Sequence, residues 1–140
     1  MKMNTTILIG DREINMKFTA KAVMAIEKTG WEALYGEKKH VQVEQILNNI
    51  DQLDVLIYLF RKSIDWKGSG AKPDEAEDLY DAYMDAGELD TGERYRMFQM
   101  DIAGAIAASR GIDLKKTLQM ITDAQMKAAE EAKVASGTGV

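Results

Sequence analysis

Apolar positions along this chain first recur every second residue and then every third or fourth. From Met3 to Phe18 the period is two: Ile14, Met16 and Phe18 alternate with Glu13, Asn15 and Lys17, the mark of a half-buried strand. Thr5, Ile7 and Ile9 supply the matching face of a first strand, and Gly10-Asp11 is a Gly-first turn of the type II′ kind. The pattern predicts a β-hairpin over 3–18. A lone hairpin is marginal in water, so it is expected to lie on helices, on another chain, or on both. No proline guards its edges, which leaves strand addition open.

Beyond Thr19, a predicted N-cap, the spacing is helical. Ala22, Val23 and Ile26 face inward on a helix from Ala20 to about Thr29. Gly30 is placed to end it, with Trp31 folding back on the last turn. Trp31, Leu34 and Tyr35 make a short apolar turn closed by Gly36, and Glu37 to His40 read as a solvated loop. Val43, Ile46, Leu47 and Ile50 form another helical face. The centre of the pattern is Asp51 to Trp66, which holds the apolar run Val55 to Phe60. As a helix, Leu53, Leu56, Ile57, Phe60 and Ile64 share its core face, with Asp51 as N-cap and Arg61 and Lys62 at the dipole's negative end. Val55, Tyr58 and Leu59 lie on other sides, so the helix is expected to be covered from more than one direction. A buried strand is the alternative reading of the same run.

Lys67 to Lys72 reads as a flexible connection, and Pro73 sits where a helix begins. Ala76, Leu79, Tyr80, Tyr83 and Met84 form one stripe of that helix; Asp74, Asp78, Asp81 and Asp85 line the other. Asp90 with Glu93 offers a capping pair for the next helix, where Tyr95, Phe98, Ile102 and Ile106 point one way. The small residues Ala103, Gly104, Ala107 and Ala108 would let another helix approach. Gly111 and Asp113 separate this helix from a last one anchored by Leu114, Leu118 and Ile121. The whole is expected to be one mainly α domain (α+β) with an N-terminal hairpin, over 1–135, with a disordered tail at 136–140.

Composition narrows the classes. At 140 residues with 46% hydrophobic and 29% charged residues, the chain is of ordinary globular type and large enough to bury a core unaided. It has no cysteine, which excludes disulfides, thiol catalysis and cysteine-ligated metals. A net charge of −5 disfavours nucleic acid and anionic membrane as partners. The first residues lack a signal-peptide core, so a cytoplasmic protein is expected.

Candidate chemistry is sparse. His40, the single histidine, lies among lysines without a partner carboxylate or serine. Gly68-Ser69-Gly70-Ala71-Lys72 lacks the spacing of a phosphate loop and reads as a linker. The acidic run from Asp74 to Glu93 contains no lysine or arginine. Its spacing is that of a solvated helix face rather than a calcium loop, and it is compatible with docking a basic partner. Among nine methionines, Met97, Met100, Met120 and Met126 cluster in the last two helices, as core filler or as an adaptable binding surface. No catalytic, metal or cofactor-binding residue is expected, and no cofactor.

The order of elements carries a resemblance. ILIGDREINMKFTAKAVMAIEKTGW, then DVLIYLFRKSI, then DEAEDLYDAYMDAGE resemble the tail assembly chaperones of long non-contractile-tailed phages, over about Ile7 to Gly87. The resemblance implies a non-enzymatic assembly factor in the host cytoplasm that binds the tape measure protein and helps recruit tail tube protein. It further implies a longer form made by ribosomal frameshifting, and a homo-oligomer. Partner-binding residues would then be Tyr83, Met97, Met100, Met120 and Met126, with Ile7, Ile9, Ile14 and Met16 serving self-association. A head–tail connector or joining protein that stays in the particle is the alternative.

Overall fold

A computed structural model describes residues 5–86, 90–110, 122–123 and 126–127. The alternating segment forms strands β1 (Thr5–Ile9) and β2 (Arg12–Met16), antiparallel, with Ile7 opposite Ile14 and Thr5 opposite Met16. Positive φ falls on Gly10 (65°) and not on Asp11, as a Gly-first turn requires. Ile7, Ile9, Ile14 and Met16 are all buried beneath the hairpin, whereas Leu8 on the other face is 61% exposed.

Among the described residues, the expected open edge is open on one side only. Asn15 N–H donates to the Ser69 carbonyl and Lys17 N–H to that of Ser63, both at 2.8 Å. Trp66 Nε1 reaches the carbonyls of Asn15 (3.2 Å) and Ser63 (3.1 Å). The stretch after the central helix therefore runs along β2 as a fixed strap rather than a flexible connection. Ser69, a linker residue by sequence, is 1% exposed there. Gly70 (φ 85°) lets the strap pass close, because a Cβ would stand 2.9 Å from the Glu13 carbonyl. Since Asn15 and Lys17 turn their amides outward on β2, the alternation of an antiparallel ladder turns those of Thr6 and Leu8 outward on β1.

The helices follow: α1 (Ala20–Ala25), α2 (Trp31–Tyr35), α3 (Val43–Leu47), α4 (Leu53–Ser63), α5 (Ala76–Asp85) and α6 (Thr91–Arg110). Thr19 caps α1, its hydroxyl accepting from Ala22 N–H at 3.1 Å. Gly30 does not end a helix. A π-helical turn, Ile26–Gly30, joins α1 to α2, and the left-handed stop comes at Gly36 (φ 76°). Gly30 instead sits where an added Cβ would lie 2.8 Å from Ile46 Cδ1 and 3.0 Å from the Tyr58 hydroxyl. It is glycine because three elements meet there. Glu27 ties the same bend to α3: its backbone carbonyl accepts from Val41 N–H and its carboxylate from Val43 N–H.

α4 is the hub, and it is a helix rather than a strand. Every residue from Val55 to Phe60 is buried, so the helix is covered on several sides. Two details differ from expectation. Gln52, not Asp51, holds the N-cap position, and Leu53 is 50% exposed instead of core-facing. Phe60 meets Phe98 of α6 edge to face (4.9 Å), and Tyr80 and Tyr83 of α5 pack on the same Phe98 ring. α6 is held at both ends. Asp90 accepts from Glu93 N–H at its start, Gln99 and Tyr95 donate to the carbonyls of Ile50 and Asp51, and Ser109 accepts from Phe18 N–H. At Gly104 the nearest side-chain atom is Thr5 Oγ1 of the hairpin, 4.0 Å from a built Cβ, so this small-residue site faces a strand where a helix was expected. Among the described residues no helix is long and apolar enough to cross a membrane. The expectations for Gly111 to Ile121 and the tail lie outside the described residues.

Candidate functional site

Of the residues singled out for binding, several belong to the interior. Tyr83 is 4% exposed. Its ring lies 5.1 Å from Phe98, the Arg94 guanidinium stacks on it at 4.0 Å, and Arg94 Nε also donates to the Tyr83 carbonyl at 2.9 Å. Tyr83 is thus the clasp between α5 and α6, not a free surface. The side chains of Ile7, Ile9, Ile14 and Met16 are likewise buried, because the period-2 face that carries them is the one pressed on the helices, which leaves only the backbone of β1 for pairing. Met97 and Met100, one turn apart on α6, are 44% and 41% exposed, and Met126 is exposed as well. Met120 lies outside the described residues.

The structure offers a surface that the periodicity did not indicate. α2, α4 and α5 enclose an open groove of about 830 Å³. Ala33 and Leu34 come from α2; Leu53, Asp54, Ile57, Tyr58, Arg61 and Lys62 from α4; Glu77, Tyr80 and Asp81 from α5. The α4 residues fall at helical spacings of three and four, so one side of that helix forms the floor. One end is bridged by Arg61 and Glu77, at 3.4 Å. Lys62 Nζ lies 5.5 Å from the centroid of the Tyr58 ring. The Tyr58 hydroxyl, buried against Gly30, has no hydrogen-bond partner among the described residues. Burial raises its pKa, outweighing an opposing influence of Thr29. Tyr80 is raised chiefly by burial and next by Asp81, and neighbouring Tyr95 is pushed up to about 12, mainly by burial. The phenols of the groove are therefore neutral, and they share its walls with aliphatic carbon and with the charged side chains of Asp54, Arg61, Lys62, Glu77 and Asp81.

Of the other sequence candidates only Asp81 lines the groove. His40 is exposed in its loop, and Asp74, Asp78, Asp81 and Asp85 are exposed on α5 and the turn before it. Among the described residues no group of three or more carboxylates or imidazoles is placed to hold a metal. Arg12, the first residue of β2, pairs with Glu75 at 3.1 Å and donates to the Gly70 carbonyl, a link that fastens the strap rather than a site. No family model, curated protein or solved structure matches this chain.

Proposed function

We propose that this chain is a non-enzymatic phage tail assembly chaperone, holding the tape measure protein in the host cytoplasm until the tail forms around it. The order of hairpin and helices supports that family, and the apolar groove along α4 is the observation that carries the binding role. Leu53 is the decisive residue: half of a leucine side chain at the mouth of a groove stays in water unless a partner covers it. A long helical client exposes repeated apolar stripes, and a groove between helices takes such a stripe at i, i+3, i+4 and i+7. Met97, Met100 and Met126, exposed and outside the groove lining, are adaptable side chains that a long client could also touch. Recruitment of tail tube protein falls to a longer form made by frameshifting. Self-association, in this reading, uses the outward edge of β1 around Leu8.

Coexpression tests the proposal. With this chain present, the tape measure protein is expected to stay soluble and to co-purify. Leu53→Lys should abolish capture while far-ultraviolet circular dichroism stays unchanged, since the position is already half in water. A client that remains insoluble beside the wild-type chain would sink the proposal. Mass spectrometry of finished particles separates the roles further, because a connector or joining protein would be found in them and a chaperone would not.

A further inference from the structure

We infer that the groove along α4 selects its occupant by charge: it takes an amphipathic helix whose apolar stripe is flanked by lysine or arginine on the side that meets α5. The inference rests on the holding role proposed above and specifies the chemistry of the client's contact.

The two walls of the groove are not alike. The α5 wall carries Glu77 and Asp81, with Asp78 and Asp85 exposed on the same helix, and no lysine or arginine occurs from Pro73 to Glu93. The α4 wall contributes two cations, but both are engaged. Arg61 lies on Glu77, and Lys62 lies over the Tyr58 ring. Lys62 keeps its charge over the ring, so what is left without an opposite charge is one cation against two carboxylates, a net negative balance. Asp81 has no hydrogen bond or ion pair among the described residues, and Asp54 accepts only from the amide of its neighbour Val55.

These two carboxylates are also well placed. The Arg61–Glu77 bridge marks one end of the groove. Leu53 and Asp54, two turns back along α4, and Asp81, one turn on along α5, stand away from it. An apolar stripe seated on Leu34, Leu53 and Ile57 would bring its flanks over Asp54 and Asp81, drawing water from both. A carboxylate that loses water without gaining a cation opposes binding. A basic flank removes that penalty and also steers the encounter, whereas an acidic flank adds repulsion to desolvation. The same logic rejects the α5 face of a second copy, whose outer residues are acidic.

Two synthetic helical peptides with one apolar stripe, flanked by lysine and arginine in the first and by glutamate in the second, test this against the full chain by isothermal titration calorimetry. The basic peptide is expected to bind at least about tenfold more tightly at low salt, with the gap closing at high salt. In the double variant Asp54→Asn, Asp81→Asn the preference should shrink severalfold with the apolar contact kept. Leu53→Lys should weaken the basic peptide most. Equal affinity of the two peptides, a tighter acidic one, no binding of either, or a preference unmoved in the double variant would overturn the inference. The coexpression experiment reads independently of it. A captured client with indifferent peptides leaves the chaperone role standing, and a basic peptide that binds beside an uncaptured client leaves only the groove.

Discussion

Two single residues carry more information than their surroundings. Asp101 of α6 is half-buried and has no cation within ion-pairing reach among the described residues, and desolvation pushes its carboxyl up to about 6. A carboxyl whose pKa is higher folded than unfolded binds its proton more tightly in the fold. Its contribution is therefore most favourable near pH ~4 and below, and it is lost as pH rises through about 6. Asp101→Asn keeps the shape and removes the charge. It should raise the melting temperature at neutral pH and leave it nearly unchanged in mild acid, and thermal scans at both pH values would show it. A variant no more stable than wild type at neutral pH would mean that Asp101 is solvated or paired. Gly30 is the second such residue. Alanine there gains up to ~1 kcal/mol of helix propensity, yet its Cβ would overlap Ile46 Cδ1 and the Tyr58 hydroxyl, both in the core. Overpacking costs roughly 1–3 kcal/mol and should win. Urea denaturation is expected to show Gly30→Ala destabilised, with Ile46→Val restoring part of the loss in the double variant. Two losses that simply add would show that the contact is not the cause.

Single elements were read best where packing agreed with local pattern. The hairpin register, the Thr19 cap and the buried faces of α3 and α5 all follow from spacing and one capping hydroxyl. The α1–α2 junction did not, because a glycine needed for close approach and a glycine needed for a left-handed stop look the same in a sequence. Only the backbone angle separates Gly30 (φ −64°) from Gly36 (φ 76°). The strap was unreadable for a related reason: Gly-Ser-Gly says nothing of which amides it will meet. With β2 covered by it, β1 is the edge that remains among the described residues. Its residues Thr5 to Ile9 are uncharged and free of proline, and two copies paired antiparallel about Ile7 would bring no like charges together. Light scattering over a concentration series should show a mass that grows, and Leu8→Lys should hold the chain monomeric. A wild-type chain that stays monomeric at the highest concentration would remove self-association from the proposal.

At the scale of the whole molecule, the fold class was legible and the groove was not. Mainly helical structure behind a hairpin is written in two periods and their order. A groove is written nowhere in particular, since its lining comes from three stretches of sequence, each of which looks like ordinary core. Leu53 has the same spacing as Leu56 and Phe60, and only the placement of α2 and α5 leaves it half in water. The strap has a further consequence, for synthesis. Trp66 follows Asn15 by 51 residues, so a ribosome delivering about 5–20 residues per second releases the hairpin roughly 3–10 s before the segment that covers β2. For that interval the nascent chain has two bare sheet edges instead of one. Neighbouring ribosomes on one message carry the same bare edges side by side, and a chain stalled in that window is the form most exposed to pairing with its sibling.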